Sequence, residues 1–166
     1  MTATVRWSRF LARPAESGSS DGLPASESPP AMGSLAVNAA QLSGLRALAP
    51  SDYLVRELRG TKMRTVAGVF DEFAAAFQFG YYFGENKDAF DECLRDLDDF
   101  LGTSTGYLAV IRDSAQLLAD DPDQREWFGE AIGDGADYWW RRDTAFRVVL
   151  QGEPAGLRAV TLELPA

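Results

Sequence analysis

The sequence contains no histidine and only one cysteine, Cys93, among its 166 residues. Without histidine the chain lacks the usual general base, the usual activator of a nucleophile and the commonest metal ligand. One cysteine cannot form a disulfide within the chain, which suits a reducing cytoplasm. Zinc sites of ordinary composition are excluded as well. We therefore expect a cytoplasmic protein that is not an enzyme and needs no cofactor or metal.

Positive charge is also scarce. Aspartate and glutamate total 25 residues against 16 lysines and arginines, so the formal net charge is −9 and the sequence pI is about 4.5. Nucleic-acid binding depends on neutralising phosphates with lysine and arginine, so this balance argues against direct binding of DNA or RNA. It favours basic protein partners. Lysine occurs only twice, and the dominance of arginine indicates a GC-rich bacterial genome.

Long apolar runs and phosphate-binding loops are missing too. No apolar run approaches the roughly 18 residues of a membrane span, and charges interrupt the short apolar stretch near the N-terminus. We expect neither a membrane partner nor a secretory leader. Gly60, Gly80 and Gly84 do not match the glycine spacing of a nucleotide-binding loop.

The segment from Pro14 to Pro30 is rich in proline, serine and glycine. Such a composition buries too little apolar surface to offset the entropy lost on ordering. We predict a disordered or loosely attached extension over residues 1–33, followed by one folded domain over residues 34–166. A small docking helix near the N-terminus, built from arginines and aromatic side chains, is the alternative for part of this extension.

The remaining chain alternates between strand and helix patterns, which predicts an α/β fold. Strands are predicted over 53–58, 106–112 and 145–150, and the second is apolar on both faces, as in a parallel sheet. Residues 160–164 alternate between apolar and polar side chains, which predicts a half-buried edge strand returned as a hairpin by the loop at 152–156. The expected sheet is mostly parallel and has three strands plus this C-terminal edge strand. Helices are predicted over 39–48, 65–77, 86–101 and 122–140, with Thr65 and Asn86 as the N-caps of the second and third.

The most informative stretch is an acidic helix that follows an aromatic turn. Residues 85–99 hold seven acids and two bases, so more than half of the net charge of −9 lies in this segment. On a helical wheel Asp88 and Glu92 lie opposite an apolar face that contains Phe90, Cys93 and Leu94. Acids spaced i,i+4 weaken a helix by a few tenths of a kcal/mol, which a purely structural helix would avoid. We interpret the acidic face as a binding surface for a cationic partner.

Tyr81, Tyr82 and Phe83 directly precede this helix. Aromatic side chains next to charge are typical of interface hot spots. We expect two of the three rings to pack inward and Tyr82 to face outward. Cys93 lies on the apolar face among acidic neighbours, so we expect a packed, unreactive thiol.

At these residues the sequence resembles the barstar family of intracellular ribonuclease inhibitors. The stretch from Tyr82 to Leu94, YFGENKDAFDECL, matches the family pattern YYGENxDALxDCL. The rest of the chain matches only in the order of its elements. The resemblance implies a small three-layer barstar-like fold and a stoichiometric inhibitor, or immunity protein, of a basic toxin ribonuclease. In that family an acidic helix and the turn before it plug the nuclease active site.

The resemblance also assigns roles to individual residues. It implies that Tyr82 covers a catalytic histidine and that Asp88 pairs with arginines that bind substrate phosphate. Gly84 and Asn86 would make backbone-level contacts. Glu92 replaces the family's second binding aspartate and is one methylene longer, and Asp91 replaces a frequent tryptophan. A further inhibitor acid on the last long helix is either Asp134 or Asp137.

Two other functions remain open. The substitutions at Asp91 and Lys87 are consistent with a barstar-fold binding module for another basic protein or a non-nuclease toxin. The carboxylates Asp88, Asp91, Glu92 and Asp96 would also permit a metal-assisted hydrolase, although catalytic carboxylates usually lie in a sheltered cleft. An inhibitor of a basic ribonuclease is the function that the sequence favours.

Overall fold

Two central strands, β4 and β5, are buried on both faces because helices cover both sides of the sheet. The structure is a computed structural model that describes residues 3–16, 28–153 and 156–166. In β4 (Gly106–Arg112), Tyr107 and Ile111 contact one core while Leu108 and Val110 contact the other, as the two-residue period of a strand requires. β5 (Ala145–Gln151) alternates in the same way. The burial on both faces that the sequence predicted for β4 is therefore confirmed.

The described residues form one parallel sheet of six strands in the order β1-β6-β2-β5-β4-β3. All five strand pairs are parallel. β3 forms one edge of the sheet. Of the three strands on the other side of β5, two were not predicted, β1 and β2. The four strands not yet delimited are β1 (Thr4–Arg6), β2 (Met32–Leu35), β3 (Tyr53–Arg59) and β6 (Val160–Glu163).

Seven α-helices among the described residues flank this sheet in two outer layers. The larger core lies beneath α4 (Val66–Phe77), α5 (Lys87–Arg95), α6 (Leu97–Leu101) and α7 (Arg125–Trp140). The smaller core lies beneath α1 (Trp7–Phe10), α2 (Ala39–Ser43) and α3 (Leu45–Leu48). The α/β class and the three layers agree with the prediction, but there are six strands and seven helices instead of three to four strands and about four helices.

Residues 3–16 do not form a disordered extension, contrary to the prediction for residues 1–33. β1 pairs with β6, and Trp7, Phe10 and Leu11 are buried in the smaller core. Trp7 also donates from Nε1 to the carbonyl of Leu48 at 2.9 Å. The predicted domain boundary at residue 34 falls inside β2. The prediction was wrong because it extended the polar composition of 14–30 to flanking aromatic residues, which are in fact buried against the sheet. Residues 17–27 lie outside the described part of the chain.

The predicted C-terminal hairpin is also wrong. β6 runs parallel to both of its neighbours and lies between β1 and β2, so it is an interior strand. Its half-buried pattern was predicted correctly, since Leu162 is buried and its neighbours are more exposed. An alternating pattern indicates that one face is covered, but it does not identify the pairing strand or its direction. Both strands that flank β6 come from the N-terminal part of the chain.

Candidate functional site

The aromatic turn begins where α4 ends. Gln78 adopts a left-handed conformation (φ 55°) that terminates the helix, as is common at helix C-termini. Beyond it Phe83 packs inward, with ring centroids 5.6 Å from Phe70 and 5.2 Å from Phe79. Tyr82 is 48% exposed and Tyr81 is 103% exposed. Only Tyr82 was expected to face outward, so the sequence analysis missed Tyr81.

Tyr82 is exposed but held in place. Its hydroxyl donates a hydrogen bond to Oδ2 of Asp96 at 3.1 Å, and its ring centroid lies 5.8 Å from that of Phe100. Partial burial and the bond to Asp96 raise the pKa of Tyr82 to about 12, so the hydroxyl stays protonated at neutral pH. Tyr82 therefore presents a fixed aromatic surface next to α5.

Gly84 and Asn86 build the start of α5. The Asn86 side chain accepts a hydrogen bond from the Ala89 N–H at 2.8 Å, which confirms the predicted N-cap. Glu85 between them has a left-handed φ of 53°. A Cβ on Gly84 would lie 3.0 Å from Nδ2 of Asn86, so a larger residue would press on the cap. Both residues are exposed, and their geometry fixes how α5 leaves the turn.

Asp88 and Glu92 lie one turn apart on the exposed side of α5. Neither carboxylate forms an ion pair with any residue that the structure describes. Phe90 on the opposite side packs 5.2 Å from Phe73 and 5.5 Å from Trp127, centroid to centroid. The buried aromatic face thus orients two unneutralised carboxylates outward. We call Asp88, Glu92, Tyr81 and Tyr82 together the acidic–aromatic surface.

Asp91 differs from these two acids because it is half-buried, and Oδ1 has no hydrogen-bond partner among the described residues. Burial raises the pKa of Asp91, the nearby charges of Asp134 and Asp88 raise it further, and Arg95 partly offsets them. The ionised carboxylate is therefore held in an unfavourable environment on the side of α5 that faces α7.

α7 supports α5 and contributes a nearby acid. Trp139 donates from Nε1 to the carbonyl of Leu94 at 2.8 Å, which satisfies a carbonyl near the C-terminal end of α5. Of the two candidate acids on α7, Asp134 is the one whose charge reaches Asp91. The charge of Asp137 instead acts on the buried Arg147. Asp134 is therefore the better candidate for an additional acid beside the acidic–aromatic surface.

Lys87 is the one base on the first turn of α5, where the helix dipole disfavours a cation. Its Nζ donates to Oε1 of Gln124 and lies 5.1 Å from the ring centroid of Trp127. These contacts draw the amine toward the start of α7. They leave Asp88 and Glu92 without a lysine partner.

Cys93 is fully buried in the packed face of α5. Burial raises the pKa of its thiol to about 11, with a further contribution from the charges of Asp96 and Glu92. The thiol is therefore protonated at neutral pH, in agreement with the prediction of an unreactive cysteine.

Other kinds of site find little support. Among the described residues, no three His, Cys, Asp or Glu side chains come close enough together to hold a metal ion. In the same part of the chain, no helix is both long and apolar enough to cross a membrane. A cavity of about 590 Å³ lies on the opposite side of the sheet between α1 and the C-terminus, and none of the predicted site residues line it.

The fold and this surface define a three-layer α/β domain that presents free carboxylates and aromatic rings, the composition of a protein-binding surface. The family model for barstar, the barnase inhibitor, matches residues 53–151. The chain therefore belongs to the barstar family, whose members are inhibitors rather than enzymes. The match runs from β3 to β5 and includes the acidic–aromatic surface. No curated protein matches the sequence.

Proposed function

We propose that this protein is a stoichiometric inhibitor of a basic ribonuclease, and that it acts in the bacterial cytoplasm as the immunity protein of a toxin. It binds with the acidic–aromatic surface and without catalysis. The observation that supports the proposal most strongly is that Asp88 and Glu92 are exposed, side by side and not neutralised by the chain's own arginines. A partner that supplies cations at this spacing would satisfy both carboxylates at once.

The barstar resemblance suggests a role for each residue of the surface. Asp88 and Glu92 take the place of RNA phosphates against the arginine and lysine side chains of the nuclease. Tyr82 covers the catalytic histidine, and the exposed backbone at Gly84 and Asn86 completes the contact. Asp91 adds negative charge from the α7 side.

Inhibition is tested by titrating the purified protein into a panel of basic extracellular ribonucleases that includes barnase, with cleavage of a fluorogenic RNA as the readout. We expect at least one nuclease to lose activity linearly up to a 1:1 ratio. If the protein inhibits no ribonuclease even at large excess, the proposal is wrong.

Two charge-neutralising variants test which surface binds. Asp88→Asn and Glu92→Gln are each expected to speed dissociation by at least tenfold, because each leaves a desolvated cation on the nuclease unpaired. Glu163→Gln is the matched control, since it removes one exposed acid on β6, outside the matched residues. Association should also slow steeply as salt is added, because opposite charges steer the encounter. Equal effects of all three variants would place the contact elsewhere.

Binding to another basic protein is the second candidate. Lys87 supports it, because this cation lies within the acidic helix and would oppose a purely cationic pocket. If the ribonuclease panel gives no inhibition, affinity capture from the organism's own lysate at low salt, followed by elution at high salt, identifies the alternative partner. An eluted protein that cleaves RNA would return the assignment to ribonuclease inhibition.

A further inference from the structure

Tyr82 lies over a glycine that leaves room for its ring. A Cβ on Gly80 would come within 2.8 Å of Cε1 of Tyr82 and 3.1 Å of Cε1 of Phe100. Phe100 belongs to α6, and its ring packs against Tyr82 at 5.8 Å with a tilt of 42°. The turn backbone on one side and Phe100 on the other therefore confine the tyrosine ring.

Asp96 completes this confinement through the tyrosine hydroxyl. It is half-buried at the junction of α5 and α6, where its own N–H donates to the Cys93 carbonyl at 3.1 Å. Its carbonyl in turn accepts from the Asp99 N–H at 3.0 Å. These two bonds fix the backbone of Asp96, and its carboxylate accepts the hydrogen bond of the Tyr82 hydroxyl, 3.1 Å away.

Tyr81 provides the contrast. It is 103% exposed, and its contact to Tyr82 is an edge-on ring pair at 6.0 Å. An exposed side chain without such an anchor loses rotamer freedom when a partner binds, and this loss weakens the complex. A ring that is already fixed in the free protein avoids this loss. The Tyr82 ring is thus already ordered before a partner binds, whereas the Tyr81 ring becomes ordered only on binding.

We propose that Asp96 is a positioning residue of the acidic–aromatic surface: from the junction of α5 and α6 it locks Tyr82 in its binding orientation, and it does not itself contact the partner. The effect on partner binding rests on the proposed function. The fixed orientation of the Tyr82 ring, however, is a property of the free protein. It separates the acids of this segment into two groups. Asp88 and Glu92 offer charge to the partner, whereas Asp96 uses its charge within the chain.

The first experiment examines the free protein by NMR, with variants Asp96→Ala, Asp96→Asn and Tyr82→Phe. We expect wild type and Asp96→Asn, which keeps an acceptor oxygen, to show ring–ring NOEs between Tyr82 and Phe100 and a single χ1 rotamer. Asp96→Ala and Tyr82→Phe should weaken these NOEs and average the χ1 couplings. If Asp96→Ala leaves the Tyr82 ring unchanged, the proposal is overturned, whatever the protein binds.

The second experiment measures binding kinetics with barnase as the probe. If the protein inhibits a different ribonuclease of the panel instead, that ribonuclease is the probe. Asp96→Ala should speed dissociation about three- to tenfold, the usual effect of one lost hydrogen bond, while Asp96→Asn changes it less than about twofold. In a Tyr82→Phe background, Asp96→Ala should have no further effect on dissociation. An equal effect in both backgrounds would overturn the proposal, because Asp96 would then act independently of the hydroxyl.

Asp98→Ala is the matched control, because Asp98 is an exposed acid two residues after Asp96, in the first turn of α6. Losing a negative charge at either position should slow association by a similar factor, but only Asp96→Ala should change dissociation. The two proposals fail separately. If no ribonuclease binds the wild type, the proposed function is lost, while the NMR comparison still decides whether Asp96 fixes the ring.

Discussion

Arg147 on β5 donates from Nε to the backbone carbonyl of Phe10, 3.1 Å away and 137 positions earlier in the chain. The arginine is fully buried, and it also reaches the carbonyl of Phe146 at 2.8 Å and the hydroxyl of Ser28 at 3.2 Å. Burial lowers the pKa of Arg147 to about 10, which still leaves it charged at neutral pH. Arg147, on a central strand of the family domain, is thus hydrogen-bonded to N-terminal residues that lie outside the family match of 53–151.

Phe10→Ala tests whether the N-terminal segment is part of the fold. The Phe10 side chain is completely buried beside Trp7. Its truncation should lower the free energy of unfolding by about 3–5 kcal/mol, as large-to-small changes of buried aromatic residues do. Urea denaturation followed by circular dichroism measures the change. Arg9→Ala, one position away and exposed, is the control and should change it by less than about 0.5 kcal/mol. Equal midpoints for both variants would mean that residues 3–16 are dispensable for stability.

Asn86→Ala removes the N-cap of α5. The Ala89 N–H loses its acceptor at 2.8 Å, so we expect a loss of about 1 kcal/mol in the free energy of unfolding. Asn86→Asp retains a capping oxygen and adds a charge that the helix N-terminus favours, so it should remain within about 0.5 kcal/mol of wild type. The comparison uses thermal and urea unfolding. If Asn86→Asp is as destabilised as Asn86→Ala, the side chain acts by something other than capping.

Asp91→Asn should make stability less sensitive to pH. Burial raises the pKa of Asp91 in the folded protein, so the folded state binds the proton more tightly than the unfolded chain does. The ionised carboxylate is therefore destabilising above this pKa, and the penalty disappears as the pH falls through it. We expect Asp91→Asn to raise the free energy of unfolding at pH 7 and to show no such gain at about pH 3, below the ordinary aspartate pKa.

The Asp91 comparison needs an acid-to-amide control in a different environment. Glu163→Gln changes an exposed acid on β6 and should shift the free energy of unfolding at pH 7 by less than about 0.5 kcal/mol. A loss of stability in Asp91→Asn at pH 7 would contradict the expectation. It would mean that the carboxylate charge is better accommodated between α5 and α7 than its burial indicates.

Tyr81→Ala should separate binding from stability. The side chain is fully exposed, so its removal should change the free energy of unfolding by less than about 0.5 kcal/mol. If the acidic–aromatic surface meets the partner, the same variant should weaken binding by at least about 1 kcal/mol, as tyrosines near the centre of an interface do. Isothermal titration calorimetry against an inhibited ribonuclease measures the loss. Leu48→Ala, an exposed apolar side chain on the far side of the sheet, is the control.

Much of the family domain was predictable because its signals are local. The apolar spacing of α4 predicted a helix capped by Thr65, and Thr65 does accept from the Gly68 N–H at 3.1 Å. The continuous apolar run of β4 predicted a strand buried on both faces, and β5 was predicted as a strand. α7 forms despite the poor helix propensity of the glycines at 129, 133 and 135. Close packing accounts for Gly135, because a Cβ there would lie 3.1 Å from the Phe146 ring. Packing in the buried core thus outweighs local helix propensity at this position.

The candidate site was predictable only in part. The wheel of α5 placed Asp88 and Glu92 outward, and the structure agrees, because Phe90, Cys93 and Leu94 are all buried. Nothing local distinguished Tyr81 from Tyr82, because the direction of the Tyr82 ring depends on Phe100 and Asp96, more than a dozen residues later. Asp91 carries the same formal charge as its neighbours in the sequence, and only the packing of α7 makes its environment different.

The sequence by itself therefore determined the acidity of the protein, its lack of histidine and the alternation of helices and strands. It also determined the amphipathic helix α5, whose acidic and apolar faces carry the family pattern. These follow from composition and from periods of two and 3.6 residues, which act over one or two turns. Tertiary structure alone decided that β1 and β2 join the sheet on either side of β6, and that Arg147 holds Phe10. It also decided which tyrosine is locked. Strand order and contacts over a hundred residues depend on which buried surfaces meet, and no local period encodes that choice.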